Sequence, residues 1–160
     1  FNKVLADIKK TNDQFGACEG AIYVADMLRK NSSSFPPGAT QFEVSTLHGF
    51  IDIKVGNIFY ELKNVKNLPP TDFGRQFSRD LLDAQGGLTN IKWWFNKRKI
   101  DTFTAQNKTD MMNALKSHLE TLDDTQRDII KLKLNLNSNS SQAIINKVTA
   151  EFDDIFKNMM

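Results

Sequence analysis

Apolar side chains recur at three- and four-residue intervals over residues 13–30, at Phe15, Cys18, Ala21, Ile22, Ala25 and Leu28. That spacing gathers them on one stripe of a helix, so the segment is expected to be helical and buried along the stripe. Residues 31–40 contain three serines, two prolines and Gly38 and predict a loop. Residues 41–46 predict a short strand.

Two β-prone runs follow, 50–55 and 58–65, separated by Gly56-Asn57, a pair that tolerates positive φ and suits a two-residue hairpin turn. If Val55 pairs with Ile58, then Lys54 lies opposite Phe59, Ile53 opposite Tyr60 and Asp52 opposite Glu61. Opposed residues share a face and successive residues alternate. One face therefore holds Ile51, Ile53, Val55, Ile58, Tyr60 and Leu62, and reads as core. The other holds Phe50, Asp52, Lys54, Phe59, Glu61 and Lys63, a set of carboxylates and ammonium groups that needs a ligand, a metal or solvent to satisfy it.

Pro69-Pro70 stop the second run, and Thr71 or Asp72 can cap a helix reaching about residue 85, with Phe73, Phe77, Leu81 and Leu82 inward. Gly86-Gly87 ends it. Residues 88–96 read as a strand; Trp93 and Trp94 should then face opposite ways, one into the core and the other towards the tail helices or a nucleic-acid base. The tail is helical by pattern, with Met111, Met112, Leu115 and Leu119 on one stripe, a second helix over 124–134, and a third carrying Ala143, Ile144, Val148, Phe152, Ile155 and Phe156. The expected fold class is α/β: an αβββαβ core over about 13–96, with a mixed four-stranded sheet flanked by helices, and a helical C-terminal extension over about 104–160, all in one domain.

Composition changes this picture little until charge is placed along the chain. Of 160 residues, 40% are hydrophobic, enough for one real core, and the single Cys18 excludes an internal disulfide framework or a thiolate metal cluster. No apolar run approaches the roughly 20 residues that span a bilayer, so no membrane segment is expected. The start at Phe1 suggests an excised part of a longer polypeptide, with any targeting signal upstream. Net charge is +2, yet residues 54–99 carry nine Lys/Arg against four Asp/Glu. The basic middle third, ending in Lys97, Arg98 and Lys99, points to a polyanionic partner.

Hydrolysis of a phosphodiester needs a nucleophilic water and a place for the charge of a phosphorane-like transition state. A hard divalent ion such as Mg²⁺ or Mn²⁺, with Zn²⁺ as an alternative, supplies both and prefers carboxylate oxygens. Asp52 and Glu61, opposed on one face, are candidate ligands, and Lys63 is the candidate for orienting water or neutralising the transition state. His48 falls on the same face if its strand extends that far, which with Lys63 would suit metal-free cleavage of RNA; a lone histidine is more often structural. His118 has no ligand partner at useful spacing.

Asp52, followed across the hairpin by Glu61-Leu62-Lys63, resembles the D…(D/E)xK core of the PD-(D/E)XK, or restriction-endonuclease-like, nuclease superfamily. That resemblance implies an αβββαβ core, an acidic residue on the first helix, matched by Glu19 as a further metal ligand, and a polar residue on the second helix, matched by Gln76. No proline precedes Asp52. Asp52-Ile53-Lys54 is itself a DxK triplet, so Glu43, Asp52 and Lys54 form a rival register. In size and organisation the chain also looks like the C-terminal toxin domain of a bacterial contact-dependent growth inhibition system. The resemblance implies delivery from a secreted or cell-surface precursor into a target cell's cytoplasm, cleavage of tRNA or DNA there, and neutralisation by a cognate immunity protein. That inhibitor is expected to be acidic and to contact residues around Lys63, Arg75, Arg79 or Lys97. Two other readings remain: a restriction or repair endonuclease acting on duplex DNA, and a non-catalytic nucleic-acid-binding module.

Overall fold

Chain order runs through helix α1 (Phe15–Lys30), strands β1 (Thr40–Ser45), β2 (Phe50–Val55) and β3 (Ile58–Lys63), helix α2 (Phe73–Asp83) and strand β4 (Ile91–Asn96), the expected αβββαβ order. Helices α3 (Ala105–Leu119), α4 (Asp124–Lys133), α5 (Ser141–Ala150) and α6 (Phe152–Ile155) follow, and the described chain closes with strand β5 (Phe156–Met159). This is a computed structural model that describes the backbone of residues 15–159 and side chains from residue 20 onwards. No described helix is long and apolar enough to cross a membrane.

The sheet is mixed and has five strands rather than four, in the order β1-β2-β3-β4-β5. β2 is antiparallel to both neighbours, whereas β3, β4 and β5 run parallel. The extra strand comes from the tail, where Phe152, Ile155 and Phe156 have helical spacing. The free edge of β4 overrides it: Phe156 pairs with Trp93 and is 2% exposed. Pairing an otherwise open edge satisfies a row of backbone groups that a longer helix would leave bare.

The hairpin turn fixes the register as expected at Val55↔Ile58, Lys54↔Phe59 and Ile53↔Tyr60. Only Gly56 takes positive φ (59°), the pattern of a type II′ turn. The ladder then stops, and Asp52 does not pair with Glu61. Instead its Oδ2 accepts the backbone N–H of Leu62 at 2.8 Å, so a side chain takes the place of a main-chain acceptor. Across the other edge of β2, Glu43 has φ 47°. This irregularity breaks the alternation: Ile51 packs with the core beneath α2 while Ile53 packs beneath α1, although both were expected on one face.

Both faces of the sheet are buried. Beneath α2–α6 lie Phe59, Ile91, Trp93, Phe95 and Phe156, with Phe73 and Phe77 of α2 stacked on them. Beneath α1 a smaller core joins Tyr23, Met27, Phe35, Ile53, Tyr60 and Trp94. Trp93 and Trp94 thus do face opposite ways, yet both are buried, at 0% and 6% exposure, because both faces of β4 are covered. The burial stripe of α1 is rotated from the expected one: Tyr23 and Met27 point in, while Ile22 is 56% exposed. Aromatic demand from Tyr60, Trp94 and Phe35 selects Tyr23 over Ile22. Phe15 and Cys18 of the expected stripe have side chains outside the described residues.

Capping shows the same mix of agreement and departure. Asp72 stands at the N-cap of α2 but makes no capping bond; its carboxylate pairs with Arg75 at 3.2 Å. Thr104 and Asp123 cap α3 and α4 through reciprocal bonds with Asn107 and Gln126. Gly74 lets α2 approach α3 closely, since a Cβ there would strike the carbonyl of Ala114.

Candidate active site

Glu61 and Lys63 lie two apart on β3 and project to the face covered by α2. Glu61 is 4% exposed, and each of its oxygens holds a cation: Oε2 accepts from Lys63 Nζ and Oε1 from Arg79 Nη2, both at 2.8 Å. Lys63 Nζ also donates to Gln76 Oε1 at 2.8 Å and sits 4.4 Å from the centre of the Trp93 ring. The ammonium is therefore fixed by a carboxylate, an amide and an aromatic face. Gln76, one α2 turn from Arg79, is in contact with Lys63.

Asp52 approaches from the irregular point of β2. It keeps an exposed edge, but its carboxyl is set among protein atoms. That desolvation, followed by the charge of Glu61, pushes its pKa up to about 6; the Leu62 N–H, Lys63 and Arg79 pull the other way. Asp52 and Glu61 are electrostatic neighbours even though they are not ladder partners. Tyr23 of α1 also feels Asp52: burial and then this charge hold its hydroxyl well above the usual phenol range, and it donates to the carbonyl of Trp94 at 2.9 Å. Glu19 stands one helical turn before Tyr23 on α1, but its side chain lies outside the described residues.

Two residues belong to this cluster that sequence reasoning did not place there. Arg79, expected only as a surface contact for a partner, bridges Glu61 to Asp80, donating to Asp80 Oδ1 through Nε at 3.0 Å and Nη2 at 2.8 Å. Burial works against the charge of Arg79, but Asp80 and Glu61 hold its pKa above the usual value. Asp80 is 0% exposed, and its Oδ2 accepts from Trp93 Nε1 at 2.8 Å. Burial, then the charge of Glu61, pushes the Asp80 carboxyl up, while Arg79 and Trp93 oppose this. A chain of contacts thus runs Gln76–Lys63–Glu61–Arg79–Asp80–Trp93 and closes back under Lys63. The signal was present in part, because Gln76, Arg79 and Asp80 recur at helical spacing. Gly49 supplies the room: a Cβ there would lie 2.7 Å from Cδ of Arg79.

The rival register is not assembled in the same way. Lys54 Nζ lies 5.8 Å from the centre of the Phe59 ring, and Lys63, rather than Lys54, joins Glu61 and Gln76. His48 does not join Lys63, because β2 begins only at Phe50. It sits in the β1–β2 turn, where Asp83 takes its Nδ1 at 2.5 Å and also accepts from Thr46 Oγ1 at 2.6 Å, tying the turn to the end of α2. His118 packs on α3, where burial and then Arg75 lower its pKa. Of the cations expected at a partner surface, Arg75 and Lys97 are exposed, but Lys63 and Arg79 are each only 13% exposed and committed to Glu61.

The donor set suits a hard divalent ion in chemistry. Asp52 and Glu61 are two mutually repelling carboxylates whose repulsion such an ion would relieve. Among the described residues no group of three or more His, Cys, Asp or Glu side chains gathers as a metal cluster, and both oxygens of Glu61 already hold cations. Compared with known protein families, curated proteins and solved structures, the chain matches none.

Proposed function

We propose that this chain is a metal-dependent nuclease that hydrolyses phosphodiester bonds of nucleic acid, with Asp52, Glu61, Lys63 and Gln76 at its centre. The observation that carries this reading is the ammonium of Lys63, held by Glu61 and Gln76 at 2.8 Å each within the field of Asp52. Asp52 and Glu61, with Glu19 as the further ligand that the resemblance implies, would hold Mg²⁺ or Mn²⁺, which when bound supplies Lewis acidity and a more acidic water. Lys63 neutralises charge that builds on the phosphoryl oxygens. Gln76 keeps its ammonium aimed, and for Glu61 to ligate the ion one of its oxygens would exchange Lys63 or Arg79 for the metal.

The toxin reading extends this proposal: delivery into the cytoplasm of a neighbouring cell, action on tRNA or DNA, and capture by an acidic immunity protein. Exposed cations such as Arg75 and Lys97 would meet that inhibitor, since Lys63 and Arg79 are largely covered. High-yield bacterial expression without any partner and with unchanged growth would defeat it.

Cleavage itself is tested by supplying DNA and tRNA with Mg²⁺, Mn²⁺ or Zn²⁺. The wild type should cut, and Lys63→Ala should cut about 10² to 10⁴-fold more slowly while still binding metal. Lys54→Ala should remain active. Loss of cleavage in Lys54→Ala beside a fully active Lys63→Ala protein would transfer the role to the rival register. Activity that survives both Asp52→Ala and Glu61→Ala would end the metal-nuclease proposal.

A further inference from the structure

A cleft of about 430 Å³ opens at the C-terminal ends of β3 and β4, on the α1 side of the sheet. Its volume falls within the roughly 300–1,000 Å³ of small-ligand sites. Among the described residues, Lys30, Lys66, Arg98 and Lys99 line it against one acid, Asp26, which Arg98 meets at 3.7 Å. Its inner wall is built rather than accidental. Asn96 Nδ2 donates to Asn64 Oδ1 at 2.8 Å, tying the two strand ends together, and Asn96 Oδ1 accepts the N–H of Arg98 at 3.0 Å. The backbone N–H groups of Lys99 and Ile100 both bond to the Asn96 carbonyl, at 2.9 and 3.0 Å. Arg98 and Lys99 therefore leave the sheet on a tight turn that holds them over the cleft. On the opposite wall Ile22 of α1 offers an apolar surface that is 56% exposed.

We infer that this cleft binds one phosphorylated nucleoside unit of a nucleic-acid chain, its phosphate on Lys66 and Arg98 and its base against Ile22. The chemistry fits each part. Cations placed by a pinned turn suit a phosphate, and Ile22 beside the amide of Asn64 suits an amphipathic base. A concave site with an apolar wall does not suit an acidic protein surface, which would be met by a flat array of cations. Position fits as well. Lys63 and Asn64 are consecutive at the end of β3 and point to opposite faces, so a strand of nucleic acid wrapping this end of the sheet would pass from one to the other, and Tyr23 lines the cleft within reach of the charge of Asp52. The inference deepens the proposed function by taking nucleic acid as its ligand class, but it does not depend on cleavage.

The test is fluorescence anisotropy with labelled single-stranded RNA and DNA oligonucleotides in EDTA, so that binding is read without hydrolysis. Lys66→Ala/Arg98→Ala should weaken binding at least tenfold, about 1.4 kcal/mol. The salt dependence, log Kd against log salt, should flatten by about 0.7, for the one phosphate that the two cations share on a single strand. Lys108→Ala/Lys147→Ala removes the same charge from the tail helices and should bind like the wild type, with circular dichroism verifying both folds. The cleft is wrong if the first double variant binds like the wild type, if both doubles lose affinity equally, if the wild type binds neither oligonucleotide, or if poly-glutamate competes as well as the oligonucleotide does. A wild type that binds through the cleft yet cleaves nothing leaves this inference standing and removes the nuclease proposal. Cleavage by the wild type, together with unaltered binding by the first double variant, does the reverse.

Discussion

On the face beneath α2, Trp93 gives its indole N–H to Asp80 at 2.8 Å. On the face beneath α1, its neighbour Trp94 is almost as buried, but its indole nitrogen finds no partner among the described residues. The first face is thick. Four tail helices and α2 cover it, and within that cover a relay of charges survives because each member has a partner: Lys63 and Arg79 on Glu61, Arg79 on Asp80, Asp80 on Trp93. The second face is thin. Its core is an edge-to-face cluster of Phe35, Tyr60 and Trp94 with ring centres 4.9 to 5.4 Å apart, and its charged groups are displaced to the rim, where they form the cationic cleft. Deep cover therefore permits buried charge only as a closed set of pairs, whereas shallow cover moves charge to the edge, where solvent and a ligand can reach it.

The sharpest way to break this contrast is to remove one member of the closed set. Glu61→Ala strands Lys63 and Arg79 as partly buried cations and should destabilise the protein by about 3–5 kcal/mol, read as a denaturation midpoint. Glu61 is no surface carboxylate, so loss of activity in that variant must be checked against Glu61→Gln, which keeps the shape. Next in size are the two tryptophans. Trp93→Phe leaves an oxygen of Asp80 without its donor and should cost roughly 1–3 kcal/mol more than Trp94→Phe, which removes a donor that is already unpaired. Equal costs for the two would erase the distinction between the faces.

The pH dependence of Asp52 sharpens the comparison at the boundary between them. Its folded pKa of about 6 lies above the usual carboxyl value of 3.8, so the fold favours the protonated form. The stabilisation is complete below about 3.8 and is lost as pH rises through about 6. Asp52→Asn should therefore gain in melting temperature relative to wild type as pH is raised from 4 to 7. Added Mg²⁺ or Mn²⁺ should stabilise only the wild type, and more at the upper end of that range, because the ion needs the ionised carboxylate. A flat difference between the two proteins would remove Asp52 from the cluster. The smallest effect belongs to Phe50, which is 65% exposed beside Asp52: Phe50→Ala should change stability by no more than about 0.5 kcal/mol.

The sequence by itself determined what depends on local chemistry. Gly56-Asn57 set the hairpin and three of its cross-strand pairs, Pro69-Pro70 and Gly86-Gly87 bracketed α2, and the apolar periodicity of 111–119 located α3. The order αβββαβ and the meeting of Glu61 with Lys63 followed from these, because residues two apart on a strand share a face whatever packs above them. Gln76 entered through the family pattern alone, and its bond to Lys63 required α2 to lie over β3. What only the tertiary structure decided involves competition between distant groups. Asp52 lost its ladder place because its carboxylate captured the Leu62 N–H. Phe156 became a strand residue because β4 offered an unpaired edge, and α1 turned Tyr23 inward because an aromatic cluster awaited it. Arg79 joined Glu61 because Gly49, thirty residues away in sequence, left it a path. Local spacing carries no record of such partners, since each outcome is set by which of several donors, edges or rings wins once the chain has folded.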